Sequence, residues 1–305
     1  MDNFSTIAHY NLSSQGLLPH RAWTSNGLIP AMVLSLCFLI GVPGNIAVII
    51  LKPNWQNMSH VSQSLMLNLV ISDLLSLLTL PLWIYALLKT WNFGLVACKL
   101  LGYIVYCNLY GSLLTVTMLS VQRYFVVVHQ WRCSQVQKRL VLLWLVAMIL
   151  SIPALVTEQL QTNQQWRYCY PQFSSKAQGV AMLLSEITSG FVCLSVVAYC
   201  YFRLHRKVCQ AAFFNNPQTT RLLTSIIVSN FVLWSPVHTI NVLVLGAICF
   251  KNNSLLKYCV DIWDIVKGLA FLNNCLNPLL YAFTSQKICT VCQNQGNTQI
   301  PLQKL

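Results

Sequence analysis

Seven long apolar runs separated by short polar breaks constrain this chain more than any other feature. They lie at about Leu28–Leu51, Ser64–Leu88, Lys99–Val128, Leu140–Leu160, Gln178–Tyr201, Leu222–Phe250 and Val260–Ser285. A helix needs about 20 mainly apolar residues to cross a hydrocarbon core of roughly 30 Å, where each backbone polar group must be bonded within its own segment. Seven such helices use most of the 305 residues and leave no room for a second domain. Only 8% of residues are charged and 56% are hydrophobic, against about 25% charged in a soluble domain, which excludes a soluble or disordered protein. The expected fold is an all-α membrane protein, a seven-helix bundle over 28–285. Residues 1–27 form an extracellular N-terminus and 286–305 a short cytoplasmic tail.

The start, Met1-Asp2-Asn3, lacks the basic stretch and short apolar core of a cleaved signal, so the first span is expected to direct insertion itself. Seven spans put the termini on opposite sides. Of the 19 Lys and Arg, 11 fall on the C-terminal side, among them Lys52, Arg123, Arg139, Arg203 and Lys207, and 8 on the other. The positive-inside rule then places the C-terminus in the cytoplasm. Asn3 and Asn11 begin glycosylation sequons on the expected outside, as does Asn252, whereas Asn57 begins one on the expected inside, where it goes unused. The net charge of +13 reads as topology signals and contact with anionic headgroups, not nucleic-acid binding, because the basic residues sit in short loops between spans.

Of 13 cysteines, Cys37, Cys107, Cys193, Cys200 and Cys275 lie within spans, where a thiol packs as a small hydrophobe. Cys98 and Cys169 are both on the expected outside, where a disulfide would tether the loop after the fourth span over the bundle. Cys249 and Cys259 are a second outer pair, bridged or free. Cys289 and Cys292 follow the last span on the cytoplasmic side, where palmitoylation is plausible. No His or Cys cluster has zinc-ligand spacing.

Polar groups inside spans are costly and mark functional candidates. Here they are Asn45, Asp73, Ser112, Asn273, Asn274 and Asn277. Gly44-Asn45, Leu69 with Asp73, Cys98, Gln122-Arg123-Tyr124, Trp144, Phe231 with Trp234 and Pro236, and Asn277-Pro278-Leu279-Leu280-Tyr281 follow in order through the spans. In these features the chain resembles the rhodopsin-like (class A) G-protein-coupled receptors over about residues 28–292. The resemblance implies a plasma-membrane receptor that responds to an extracellular ligand by activating a heterotrimeric G protein, with the inhibitory class favoured. Arg123, Tyr124, Trp131, Phe231, Trp234, Pro236, Pro278 and Tyr281 would then form the switch and the coupling surface. Pro236 and Pro278 delete helix hydrogen bonds and allow the sixth and seventh spans to bend, with Trp234 pressing on Phe231 below it. Asp73, Ser112, Asn273 and Asn277 either hold a hydrated Na⁺ or form a neutral polar network; no other metal or cofactor is expected. Three departures stand out. Gln122 replaces the usual acid before Arg123, and none of the 6 Asp and Glu lies on the cytoplasmic side, so an ionic restraint on Arg123 cannot form there. The usual proline of the fifth span is missing at Cys193-Leu194, so that helix is expected to lack a bulge. Gln130 stands where a proline often precedes the bulky Trp131.

The residue expected to be Asp in amine receptors is Val105. Trp91-Asn92-Phe93-Gly94, Glu186-Ile187-Thr188-Ser189-Gly190-Phe191 and Trp234-Ser235-Pro236-Val237-His238 with Asn241 look like leukotriene B4 receptors and, more loosely, chemoattractant receptors. By that resemblance Tyr110, Glu186 and Asn241 receive the lipid's hydroxyl groups or line its pocket, with a polar His238 below. Gly102 stands where a His is expected, and Glu158 where an Arg would pair with the lipid carboxylate. A buried carboxylate needs a cation, and Lys267 is the best replacement, unless it pairs with Asp264 on its own helix. A peptide or nucleotide ligand is the alternative, favoured by an outer face carrying Asp261, Asp264 and Glu158. A weakly signalling decoy on the same fold is another. A transporter is disfavoured by the absence of broken half-helix pairs, and an enzyme by the absence of an acid-base pair beside a nucleophile.

Overall fold

The computed structural model describes residues 25–52, 59–130, 135–163, 166–210 and 217–284. Each expected apolar run is helical. In chain order the elements are α1 (Ser25–Leu51), α2 (His60–Leu77), α3 (Leu80–Leu88), α4 (Gly94–Val128), α5 (Val136–Thr157), the antiparallel hairpin β1 (Glu158–Asn163) and β2 (Trp166–Pro171), α6 (Lys176–Gln210), α7 (Pro217–Cys249) and α8 (Asn253–Thr284). Among the described residues, six stretches are long and apolar enough to cross a membrane: Leu28–Leu51, His60–Leu88, Gly94–Val128, Val136–Thr157, Ala177–Leu204 and Thr224–Cys249. The 32-residue α8 packs between α7 and α1 and closes the ring, while the 35-residue α4 runs through the middle against α2, α5, α6 and α7.

Apolar side chains on the outer faces stand uncovered, as lipid-facing positions do: Leu39, Ile50, Val141, Ile149, Val192 and Val232 are all exposed. Where helices meet, small residues let backbones approach. A Cβ at Gly44 would come within 2.9 Å of Pro278 Cβ, and one at Gly41 within 2.6 Å of Leu77 Cδ1, so glycine is what allows α1 to lie against α8 and α2. Leu65, Met66, Leu69, Leu119 and Ile226 fill the core between α2, α4 and α7. Polar links tie the same helices. Trp144 Nε1 donates to Asn68 Oδ1 at 2.8 Å, and Asn68 Nδ2 donates to Thr115 Oγ1 at 2.8 Å, joining α5, α2 and α4.

Several boundaries differ from the sequence expectation: α6 ends nine residues past Tyr201, α7 starts five residues before Leu222 and α8 seven before Val260, and three further differences have a local cause. The second span is two helices broken at Leu78-Thr79, where the Thr79 hydroxyl donates to Ser76 O at 2.7 Å and Pro81 begins the next turn without an N–H to give. The fourth run ends at Thr157 instead of Leu160, because Glu158–Leu160 already pairs with Cys169–Pro171 in the hairpin. The third helix begins at Gly94, five residues before Lys99; Gly94 takes φ +81°, a left-handed conformation that glycine adopts without penalty. The helix α6 is continuous through Cys193 and Leu194, as the missing proline implies.

Candidate functional site

The disulfide Cys98–Cys169, with a Cα–Cα distance of 5.6 Å, pins β2 to the start of α4. The hairpin is fixed on its other side by Trp91, whose N–H donates to Arg167 O at 2.9 Å and whose indole donates to Gly94 O at 2.9 Å. The Trp91-Asn92-Phe93-Gly94 segment thus has a positioning role, and Trp91 also lines the cavity below. Cys249 and Cys259 are free thiols, so the second outer pair is not bridged. The five cysteines within spans are free and buried, as expected.

Beneath the hairpin lies a mostly apolar cavity of about 250 Å³. Tyr110 of α4, Glu186 of α6, and His238 and Asn241 of α7, four expected ligand residues scattered over the sequence, all line it. Asn241 Nδ2 donates to Glu186 Oε2 at 3.0 Å, linking α6 to α7 across the wall. Val105 lines the cavity as well. Lys267 and Asp264 belong to α8, beside the lining residue Gly268, but their side chains lie outside the described residues.

The two departures Gly102 and Glu158 prove to be one feature. Glu158 is only 6% exposed and lines the cavity, which corrects the expectation that it sits on an outer face with Asp261. Its side chain lies over Gly102, where an added Cβ would come within 2.8 Å of Glu158 Cγ. A His at 102 has no room while Glu158 occupies that corner. Glu158 also approaches the sulfurs of Cys98 and Cys169, but these are spent on each other and offer no thiolate to a metal.

The cavity floor is formed by Trp234 and His238, 4% and 7% exposed. Their rings stack at 6.0 Å between centroids, one on each side of Pro236. The expectation that Trp234 presses on Phe231 is corrected. Phe231 is 39% exposed on the outside of α7, and the buried residue one turn below Trp234 is Asn230, because a helix returns to the same face after 3.6 residues and four is the closer match here.

Further in, Asp73 is 1% exposed and Asn277 Nδ2 donates to its Oδ2, tying α2 to α8. Asn45 Nδ2 donates to Gly41 O and to Asn274 O, both at 2.9 Å, adding α1 to the junction. Asp73 Oδ1, Ser112 Oγ, Asn273 Oδ1 and Asn277 Oδ1 are buried without a partner among the described residues. A carboxylate, a hydroxyl and amide carbonyls are the oxygen donors that suit a hard cation.

At the opposite end from the hairpin, Gln122 turns away from Arg123. Ser62 Oγ donates to Gln122 Oε1 at 3.1 Å and Gln122 Nε2 donates to Ser59 Oγ at 3.1 Å, where Ser59 is also the N-cap of α2. Arg123 Nε and Nη2 are buried without a partner among the described residues. Tyr124 meets His129, OH to Nε2 at 3.1 Å, and stands edge-on to it. This Gln–Ser clamp could not be read from the sequence, because nothing in the local pattern joins positions 59 and 122. Pro278 is buried against Gly44. Trp131, Asn3, Asn11, Cys289, Cys292 and the side chain of Tyr281 lie outside the described residues.

Comparison with known proteins agrees with this geometry. Residues 44–281 match the model of the 7 transmembrane receptor (rhodopsin family). The chain is 30% identical over 278 residues to G-protein coupled receptor E1 of equine herpesvirus 2 (strain 86/87), covering 85% of this chain and 71% of that protein. It is 30% identical to Formyl peptide receptor-related sequence 4 of Mus musculus, covering 93% and 91%, and 28% identical to C-C chemokine receptor type 7 of Homo sapiens, covering 88% and 73%. The chain therefore belongs to the rhodopsin family of seven-transmembrane receptors: it is a multi-pass plasma-membrane receptor of the chemoattractant group, which takes an extracellular ligand and couples to a G protein, and it is not an enzyme.

Proposed function

We propose that this receptor holds a chemoattractant in the cavity beneath the hairpin and thereby activates a heterotrimeric G protein, of the inhibitory class, at the far end of the bundle. The hairpin end faces outside and the C-terminus the cytoplasm. One observation carries the reading. Tyr110, Glu186, His238 and Asn241 line a single mostly apolar cavity whose floor includes Trp234, two residues from the helix break at Pro236. A ligand that fits the bent form of α7 better than the straight one shifts the population toward it and opens the Arg123 end to the G protein. Na⁺ held by Asp73, Ser112, Asn273 and Asn277 would favour the resting form, since it bridges helices that must part.

A lipid mediator resembling leukotriene B4 is the leading ligand. Its chain suits the apolar walls, its hydroxyls suit Tyr110 and the Glu186–Asn241 pair, and its carboxylate needs Lys267. A peptide carrying a basic group is the second reading, favoured by Glu158 in the corner where an arginine would meet the lipid carboxylate. It also accords with relatives named as chemokine and formyl peptide receptors. The deciding experiment is G-protein dissociation in cells expressing the chain, first without ligand and then with leukotriene B4, beside Arg123→Ala and Lys267→Ala. A response lost in both variants supports the lipid reading. Ligand-free signalling without a lipid response turns the search to basic peptides. Silence at full surface expression favours a decoy and sinks the signalling reading.

A further inference from the structure

We propose that Gly190 is a positioning residue of the switch: its bare backbone seats the His238 imidazole, and the seated imidazole braces the Pro236 hinge by stacking on Trp234. The inference rests on the signalling reading above and adds to it a residue on α6 that touches neither hinge nor Trp234 in the sequence.

The geometry is specific. A Cβ built on Gly190 would overlap the Cε1 and Nδ1 atoms of His238, so the imidazole occupies the space that a side chain at 190 would need. His238 is 7% exposed and neither ring nitrogen has a hydrogen-bond partner among the described residues. A polar ring held in this way, without bonds, is held by shape, and the shape is the glycine notch. One turn toward the hairpin, Asn241 donates to Glu186 at 3.0 Å. Positions 186 and 190 on α6 therefore meet 241 and 238 on α7, giving the two helices two successive contacts.

Pro236 has no N–H, so α7 lacks one backbone bond at that turn. His238 lies on one side of the proline and Trp234 on the other, with their planes 26° apart. The stack spans the weak turn and resists bending there. A ligand in the cavity touches both rings, because both line it, and it can part them or press them together. A methyl at 190 should act as such a ligand does: the imidazole is the free end of a side chain and can swing into the cavity, which lets the fold survive while the brace is lost.

The test is ligand-free G-protein dissociation at matched surface expression for wild type, Gly190→Ala, His238→Ala, the double variant and His238→Phe, with thermal stability of each purified receptor measured in parallel. An aromatic pair contributes about 0.5–1.5 kcal/mol beyond its burial, so Gly190→Ala and His238→Ala should each raise the baseline roughly two- to tenfold. The double variant should rise no further, since both changes remove one brace. His238→Phe keeps a stacking ring and should raise the baseline less than His238→Ala does. A lowered melting temperature in Gly190→Ala with an unchanged baseline would mark mere packing and overturn the proposal, as would additive effects in the double variant. A wild-type receptor that is silent with every G protein would instead overturn the signalling reading, and this inference with it.

Discussion

Replacing Gln122 by Ala tests what holds the G-protein end at rest. The change deletes both bonds between α4 and the start of α2, from Ser62 Oγ and to Ser59 Oγ, each 3.1 Å. Gln122 is 6% exposed, so water cannot readily take over either bond. Side-chain hydrogen bonds between membrane helices average about 0.6 kcal/mol and reach about 1.7. Losing two weakens the resting arrangement by roughly 1 kcal/mol, a five- to tenfold rise in the ratio of active to resting receptor. Arg123 offers no substitute restraint, because its Nε and Nη2 are buried without a partner among the described residues. The readout is ligand-free G-protein dissociation at matched surface expression. Ser59→Ala combined with Ser62→Ala should reproduce the rise, and adding Gln122→Ala should not extend it. Gln122→Asp should move the other way. It sets a carboxylate beside the guanidinium, and a charge-assisted bond of about 1.5–3 kcal/mol exceeds the clamp it replaces. Unchanged baselines in both Gln122 variants would refute the reasoning.

Three further outcomes are expected. Asn68→Leu removes the links to Trp144 and Thr115 and leaves the indole N–H unpaired, costing about 1–3 kcal/mol, to be seen as a lower unfolding temperature of the purified receptor. Asp73→Asn removes the one carboxylate of the buried oxygen cluster, so ligand-free signalling, lowered by added NaCl relative to choline chloride in the wild type, should lose that dependence; equal sodium sensitivity in both would count against the cation site. Gly102→His should reduce the yield of folded receptor through its clash with Glu158, by about 1–3 kcal/mol of overpacking, and Glu158→Ala should restore it; a Gly102→His receptor as stable as wild type would show that the two positions are independent.

Much of the fold was legible in the chain itself. A bilayer demands about 20 apolar residues per crossing, so the number and approximate limits of the spans follow from hydropathy alone. The order of Asn45, Asp73, Arg123, Trp234 and Asn277 along them was enough to indicate the family. The resemblance, through the missing family proline, foretold the unbroken α6 at Cys193-Leu194, and the outer placement of Cys98 and Cys169 foretold their bridge. The hairpin, the break at Leu78-Thr79 and the early start at Gly94 were not foreseen, because they depend on backbone bonds between segments and on single turn residues, to which a hydropathy window is blind.

What only the tertiary structure decided is which distant residues share space. That Glu158 fills the room left by Gly102, that Gln122 clamps Ser59 and Ser62, that His238 sits in the notch of Gly190 and that Asn230, not Phe231, lies beneath Trp234 are all facts of helix rotation and approach. A span's apolar composition determines that it enters the membrane. It says little about which face turns inward, because lipid and protein interior are equally apolar and the choice falls to small residues and a few polar contacts made between helices.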